Sequence, residues 1–276
     1  MVESSGKASG PAKRVALVTG ASSGLGEAFA RRLAKDGWDL VLVARRKPML
    51  EAIAAELKAA HGTNAEVLPA DLADDAQVAA VEERIRRSPV DMLVNNAGIL
   101  LVKNFAAGDL KVWDALVRVR CVATVRLTHA ALQSMLARKS GAIINMASIG
   151  AFMPLPQNAV YAAVKRFILA FTESLSLELH GTGVRIQVLC PGWVETEMIA
   201  DPGMDTSHIP KSWRSKPEAV VDASLKALER GKLIVVPGWR NKLLIFSVLT
   251  AYRPMLRWLM RKVKFNQATA KAHPRA

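Results

Sequence analysis

Tyr161 and Lys165 stand four positions apart in a stretch, residues 159–179, whose alanines and leucines without a breaker predict a helix. Four residues is little more than one helical turn, so phenol and ammonium share a face. A cation beside a phenol favours the phenolate form, which makes the pair a proton donor or acceptor for an oxygen that gains or loses charge. The chain has only 2 tyrosines, so the pairing is not trivially common, although a lone Tyr-x-x-x-Lys also decorates ordinary helix surfaces. Ser148 lies thirteen positions before Tyr161, beyond the apolar run 142–146, and offers a hydroxyl to the same oxygen.

A second group can hold phosphate. Thr19-Gly20-Ala21-Ser22-Ser23-Gly24-Leu25-Gly26 follows the β-branched run 14–19 and precedes a helical pattern. Glycines at 20, 24 and 26 permit a tight turn and a close approach to backbone N–H groups, and the helix N-terminus favours negative charge. Ser22 and Ser23 add hydroxyl donors. A glycine run by itself is as readily a plain turn; its place between the first strand and the first helix argues for a dinucleotide. The run 39–43 ends at Ala44, followed by Arg45 and Arg46, where an acidic residue would bond the ribose of NAD and repel a 2′-phosphate. A guanidinium holds a phosphate through paired hydrogen bonds. The expected cofactor is therefore NADP(H), with Arg45 as main ligand and Ser22 or Ser23 assisting; the rival is a pair of solvated loop charges.

These residues need a frame. Apolar runs at 14–19, 39–43, 66–69, 91–94, 142–146, 185–189 and 233–236 alternate with helical patterns at 25–35, 49–60, 76–87, 110–138, 159–179 and 217–230. Strands without polar alternation, each separated by a helix, predict a parallel sheet covered on both faces. The fold class is α/β, a doubly wound Rossmann sheet in one domain, 14–238. A flexible tail, 1–13, precedes it, and a basic amphipathic extension, 239–276, follows.

In this order the chain carries Thr19-Gly20-x-x-x-Gly24-x-Gly26, Asp71-Leu72, Asn95-Asn96-Ala97-Gly98, Ser148, Tyr161-x-x-x-Lys165 and Pro191-Gly192. From Arg14 to about Val236 it resembles the short-chain dehydrogenase/reductase family, in its broad-specificity ketoreductase type. The resemblance implies hydride transfer between nicotinamide and a carbonyl or secondary alcohol. Ser148 would hold the substrate oxygen, Tyr161 would exchange its proton, and Lys165 would clasp the nicotinamide ribose. It also implies a cofactor bed of Gly20, Ser22, Ser23, Gly24, Leu25 and Gly26. Asp71 would meet the adenine amino group, with an N-cap of the next helix as an equally good reading, and Leu72 would donate through its backbone. Asn96 and Ala97, with Gly98, would line the adenosine ribose, and Pro191, Gly192, Val194 and Thr196 the carboxamide.

One residue departs from the family pattern. Alignment on Trp113 and Leu127-Thr128-His129 puts Arg120 where the family commonly has an asparagine that orders a water beside the lysine. No asparagine occurs between Val112 and Met135. An arginine there either favours the phenolate further or points away, and it puts the proton relay in question. A non-catalytic NADP(H) sensor of the same fold would have lost the tyrosine or the lysine, and both are kept. Nucleotide-sugar epimerases share the fold and the Tyr-x-x-x-Lys spacing but have another glycine spacing and a longer substrate domain.

Phe152, Met153, Leu155, Trp193 and Met198 are the expected pocket lining, under a mobile lid at 195–216. They suit an apolar ketone or alcohol: a 3-oxoacyl thioester, a steroid-like ring, a polyketide intermediate or a lipid aldehyde. Cys121 and Cys190 lie in apolar segments, which predicts reduced, buried thiols and a reducing compartment. His129 and His180 lack ligand spacing, so no metal site is expected.

The net charge of +14 is concentrated: no acidic residue follows Glu229, while basic residues run from Arg230 to Arg275. Aromatic residues there sit among long aliphatics, which disfavours nucleic acid and points to an anionic membrane surface or an acidic carrier protein. Leu244, Val248, Tyr252, Leu256, Leu259 and Val263 recur at helical spacing, so a helix packed over the pocket or at a subunit contact is the plainer expectation and an interfacial helix the sharper one. The run 243–252 is too short to span a bilayer, and Met1–Lys13 is too polar for a secretory signal. A cytoplasmic protein, soluble or peripherally bound, follows. By resemblance it would be a homodimer or homotetramer built on its two long helices.

Overall fold

A computed structural model describes residues 13–98, 102–195 and 210–250. The first half alternates β1 (Val15–Thr19), α1 (Gly24–Lys35), β2 (Asp39–Ala44), α2 (Lys47–His61), β3 (Ala65–Pro69), α3 (Asp75–Arg87) and β4 (Met92–Asn95). The second half runs α4 (Leu110–Val117), α5 (Ala123–Ala137), β5 (Gly141–Met146), α6 (Ala159–Glu178), β6 (Val184–Leu189), β7 (Trp193–Val194), β8 (Arg214–Ser215), α7 (Pro217–Glu229), β9 (Ile234–Val235) and α8 (Trp239–Thr250). Seven strands form one parallel sheet in the order β3-β2-β1-β4-β5-β6-β9, the Rossmann-type doubly wound arrangement expected from the apolar runs.

Strand residues feed two cores alternately, as the period of a strand requires. Ala16, Val18, Leu40 and Leu42 pack with Phe29, Leu33, Leu50, Val221 and Leu225 of α1, α2 and α7. Leu17, Val41, Val43 and Leu93 pack on the other face with Val78, Val81, Ile85, Leu127 and Ala131 of α3 and α5. Both faces are therefore apolar, and that is why the strands read as unbroken hydrophobic runs. The strand order reverses between β1 and β4, which opens a crevice beyond their C-terminal ends.

One feature differs from the sequence expectation, and the ends of a second expected segment can be placed. The helix expected over 110–138 is interrupted by a π-helical turn, Arg118–Val122, between α4 and α5. A π-turn widens the ring of the backbone bonds without a glycine or proline, so the apolar period gives no sign of it. The segment expected as a lid is pinned at both ends: β7 pairs with β8 in parallel, and Glu195 N–H donates to the Ser215 carbonyl at 3.0 Å. Positions 196–209 of that segment, residues 1–12 of the expected tail and the extension from 251 onward lie outside the described residues.

Candidate active site

The glycine loop crosses the crevice at the β1 end. Gly20 has φ +67°, and a Cβ there would lie 2.8 Å from Asn96 Nδ2. A Cβ on Gly26 would strike the Gly20 carbonyl. The backbone cradle is thus open because these positions carry no side chain, and it fits a dinucleotide phosphate. Thr19 and Asn96 hold it in place. Asn96 and Ala97 N–H donate to Thr19 Oγ1 at 2.9 and 3.0 Å, and Asn96 Nδ2 donates to the Thr19 carbonyl at 2.9 Å. The glycine loop and the Asn96-Ala97-Gly98 turn after β4 are therefore one unit. Thr19, 1 % exposed, was not singled out from the sequence; its polar type in an otherwise apolar strand was the available sign.

At the β2 end, Arg46 turns onto the loop. Its guanidinium donates to Ser23 Oγ at 2.8 Å and to Ser22 Oγ at 3.1 Å. Ser22 is buried and Leu25 half-buried under α1. Arg45 is exposed beside this cluster, so it is the second arginine that the fold joins to both serines. Asp71, after β3, accepts from Ala73 N–H at 2.9 Å in a tight local turn. The N-cap of α3 is Asp74, which accepts from Ala76 and Gln77 N–H, so capping does not account for Asp71. Leu72 beside it is buried.

Ser148 follows β5 and is held by backbone bonds on either side, Ala147 N–H to the Leu189 carbonyl and Ile149 N–H to that of Pro191. Its hydroxyl caps a single 3-10 turn, accepting from Gly150 N–H at 3.1 Å. Tyr161 and Lys165 come from the first turns of α6. The point where a Gly150 Cβ would sit is 3.5 Å from both Ser148 Oγ and Tyr161 Cε1, so serine and tyrosine converge on one spot. Lys165 is 2 % exposed, donates to the Met146 carbonyl at 2.7 Å, and places Nζ 5.7 Å from the Tyr161 ring centroid. Burial first, then the neighbouring Arg120 charge, pushes the Lys165 ammonium well below its ordinary range.

Arg120 points in. It is buried at the π-turn, its guanidinium lies where a Gly98 side chain would be, and it sits 5.7 Å from the Tyr161 ring centroid. Burial lowers it from the ordinary arginine range, while Tyr161 and Cys121 raise it. Tyr161 therefore lies beside two basic side chains, Arg120 of the π-turn and Lys165 of α6.

Pro191 and Gly192 follow β6. A side chain on Gly192 would collide with the Asn241 carboxamide of α8 at 2.5 Å, and Asn241 donates to the Pro237 carbonyl at 2.7 Å. Val194 is buried in β7, and Thr196 and Met198 lie outside the described residues. Of the expected pocket residues, Phe152, Met153, Leu155 and Trp193 are each half-buried near the site. Leu155 reaches Gly150, and Phe152 packs on Ile168 and Val188. Among the described residues no cluster of His, Cys, Asp and Glu could hold a metal, and His129 and His180 are both exposed.

Residues 14–205 match the family model for short chain dehydrogenases. The chain is similar to the ketoacyl reductase HetN of Nostoc, 35% identical over 219 residues, 78% of this chain and 75% of that protein. It is similar to serine 3-dehydrogenase of Agrobacterium fabrum, 38% identical over 183 residues, 66% of this chain and 72% of that protein. In structure it resembles a short-chain dehydrogenase from Sphingobium yanoikuyae in complex with NADPH, at TM-score 0.79 and 33% identity, covering 94% of this chain and 100% of the other.

Proposed function

The chain belongs to the short-chain dehydrogenase/reductase family, oxidoreductases of CH–OH and C=O groups that use a nicotinamide cofactor, and from that premise we propose an NADP(H)-dependent reductase of apolar ketones. The observation that carries this is the convergence of Ser148, Tyr161 and Lys165 after β5 and on α6, with Arg46, Ser22 and Ser23 clustered after β1 and β2. Ser22, Ser23 and Arg46 hold the 2′-phosphate, with Arg45 beside them. The glycine loop takes the pyrophosphate, Asp71 and Leu72 the adenine, Asn96, Ala97 and Gly98 the ribose, and Pro191, Gly192, Val194 and Thr196 the carboxamide. When bound, the nicotinamide supplies the hydride that reaches the carbonyl carbon.

The protein's own groups manage the oxygen. Ser148 Oγ donates a hydrogen bond to it, and Tyr161 gives it the phenolic proton as negative charge develops. In the reverse direction the phenolate takes the alcohol proton. Lys165 and Arg120 stabilise the charge that this leaves on Tyr161. Phe152, Met153, Leu155, Trp193 and Met198 make the substrate side apolar, which suits a 3-oxoacyl or steroid-like ketone. Uncovered Val117, Val122 and Leu136 on α4–α5 and Phe167 and Leu177 on α6 support assembly of a homodimer or homotetramer through these helices, in the cytoplasm.

The test is consumption of reduced nicotinamide with a panel of bulky ketones, 3-oxoacyl thioesters and aldehydes. Turnover with NADPH that falls by about 10²–10⁴ in Tyr161→Phe supports the reading. NADPH binding with no turnover across the panel sinks it in favour of a cofactor sensor.

A further inference from the structure

Helix α8 has two apolar faces, and among the described residues only one of them is covered. Inward, Asn241 and Ile245 are buried and Leu244 and Val248 half-buried; Asn241 lies against Gly192, and Arg240 donates to the Ser212 carbonyl. Outward, Trp239, Leu243, Phe246 and Leu249 are 69%, 59%, 65% and 62% exposed. With about 3.6 residues per turn, Trp239, Leu243 and Phe246 form one stripe with Leu249 on its edge. Lys242 flanks the stripe on that side and Arg240 on the other, its guanidinium 5.2 Å from the Trp239 ring centroid.

We infer that this outer face docks on the surface of an anionic lipid bilayer. The apolar stripe between basic flanks is the pattern of a helix lying in the interface, and its charge complements acidic headgroups. No acidic residue follows Glu229, and the sequence past the helix adds Arg253, Arg257, Arg261, Lys262 and Lys264. A second copy of the face would set like charges against each other. An acidic peptide could pair with the basic flanks, but Ser247 and Thr250 turn their hydroxyls back to the Leu244 and Phe246 carbonyls, each at 2.8 Å, and leave the apolar stripe without the polar partners a peptide backbone needs. The described part of the helix, 12 residues, spans about 18 Å against a hydrocarbon core of about 30 Å, and among the described residues no helix is long and apolar enough to cross a membrane. Because the inner face of α8 touches Gly192 and Ser212, docking sets the rim of the pocket at the lipid surface, where an apolar ketone partitions. That consequence rests on the reductase reading; the docking does not.

The experiment is co-sedimentation of the full chain with vesicles of phosphatidylcholine alone or mixed with phosphatidylglycerol, with NADPH binding measured in parallel. Expected are pelleting with the anionic vesicles, little with the neutral ones, and release by salt. Exchanging Leu243 and Phe246 together for serine should weaken vesicle binding at least about tenfold and leave NADPH affinity unchanged. Lys242→Gln, which keeps the apolar stripe, should cost about two- to fivefold. Equal pelleting of wild type and the double variant, or no pelleting of wild type, overturns the inference. So does a change of oligomeric state in the double variant with vesicle binding intact, since the face would then belong to a second copy. Failed docking with ketone reduction intact removes only the lipid surface, whereas docking without any turnover removes only the reductase.

Discussion

Arg46→Gln should separate the two reduced cofactors. The Arg46 guanidinium lies 2.8 Å from Ser23 Oγ and 3.1 Å from Ser22 Oγ, so three donors already face the place where a 2′-phosphate belongs. A hydrogen bond to a charged group contributes about 1.5–3 kcal/mol, and each 1.4 kcal/mol is about tenfold in affinity. Loss of the guanidinium should weaken NADPH about 10- to 150-fold. NADH, without the phosphate, should change by less than about twofold. Among the described residues no hydrogen bond joins Arg45 to Ser22 or Ser23, so Arg45→Gln removes only a solvent-screened charge and should cost NADPH less than about 1 kcal/mol. Isothermal titration of both cofactors at fixed ionic strength measures all of these. A reversed order, with Arg45→Gln abolishing the NADPH preference and Arg46→Gln sparing it, would refute the reasoning and restore Arg45 as the main ligand.

Two further outcomes follow from buried charge. Removing the Arg120 cation in Arg120→Met takes away one of the two causes that hold Lys165 low. The Lys165 ammonium then survives to higher pH, so the alkaline limb of kcat/KM should move upward, and an unchanged profile would strip Arg120 of any role at the site. On the same face of the sheet, farther along α5, Arg126 donates to Glu82 on α3 at 2.8 and 2.7 Å, and this pairing holds the Glu82 carboxyl below its ordinary value of 4.5. A depressed carboxylate stabilises the fold in full above 4.5, and that contribution is lost as pH falls through the folded value. Glu82→Gln should therefore cost about 1–2 kcal/mol at neutral pH, read from urea midpoints, and the difference should vanish in acid.

The strands were legible because both faces of the sheet are covered, which leaves apolar runs bounded by turns. The motifs were legible because all but Tyr161-x-x-x-Lys165, which lies in the first turns of α6, fall where a strand ends. What was hidden depends on direction. Arg45 and Arg46 are adjacent, and only the geometry between β2 and α2 decides which one reaches Ser22 and Ser23. Asp71 and Asp74 are both fitting caps by type, and the start of α3 at Asp75 selects Asp74. In α8 the sequence is apolar on nearly every side, so periodicity picked out Leu244 and Val248, which are half-buried inward, and passed over Trp239, Leu243, Phe246 and Leu249. The pairing of β7 with β8 is two residues long on each side and has no signal that a composition or period could carry.

Arg120 is where sequence and structure bear most directly on the chemistry. An asparagine there would bring no charge; an arginine brings a second cation to a phenol that already faces a lysine. The neighbouring thiols, Cys121 and Cys190, are pushed by burial to about 11 and about 12, so they are neutral at neutral pH and bring no charge to offset these cations. On the proposed mechanism, negative charge arriving on the reacting oxygen or on Tyr161 is then stabilised from both helices at once. An interaction that strengthens only as charge develops lowers the barrier more than it tightens binding of the neutral ketone. The cost is borne by the resting fold, which keeps Lys165 and Arg120 buried side by side. Gly98 makes this feasible, since any larger residue there would displace the guanidinium from the tyrosine. The glycine that closes the Asn95-Asn96-Ala97-Gly98 turn thus serves the cofactor side of the crevice and, through Arg120, the proton side as well.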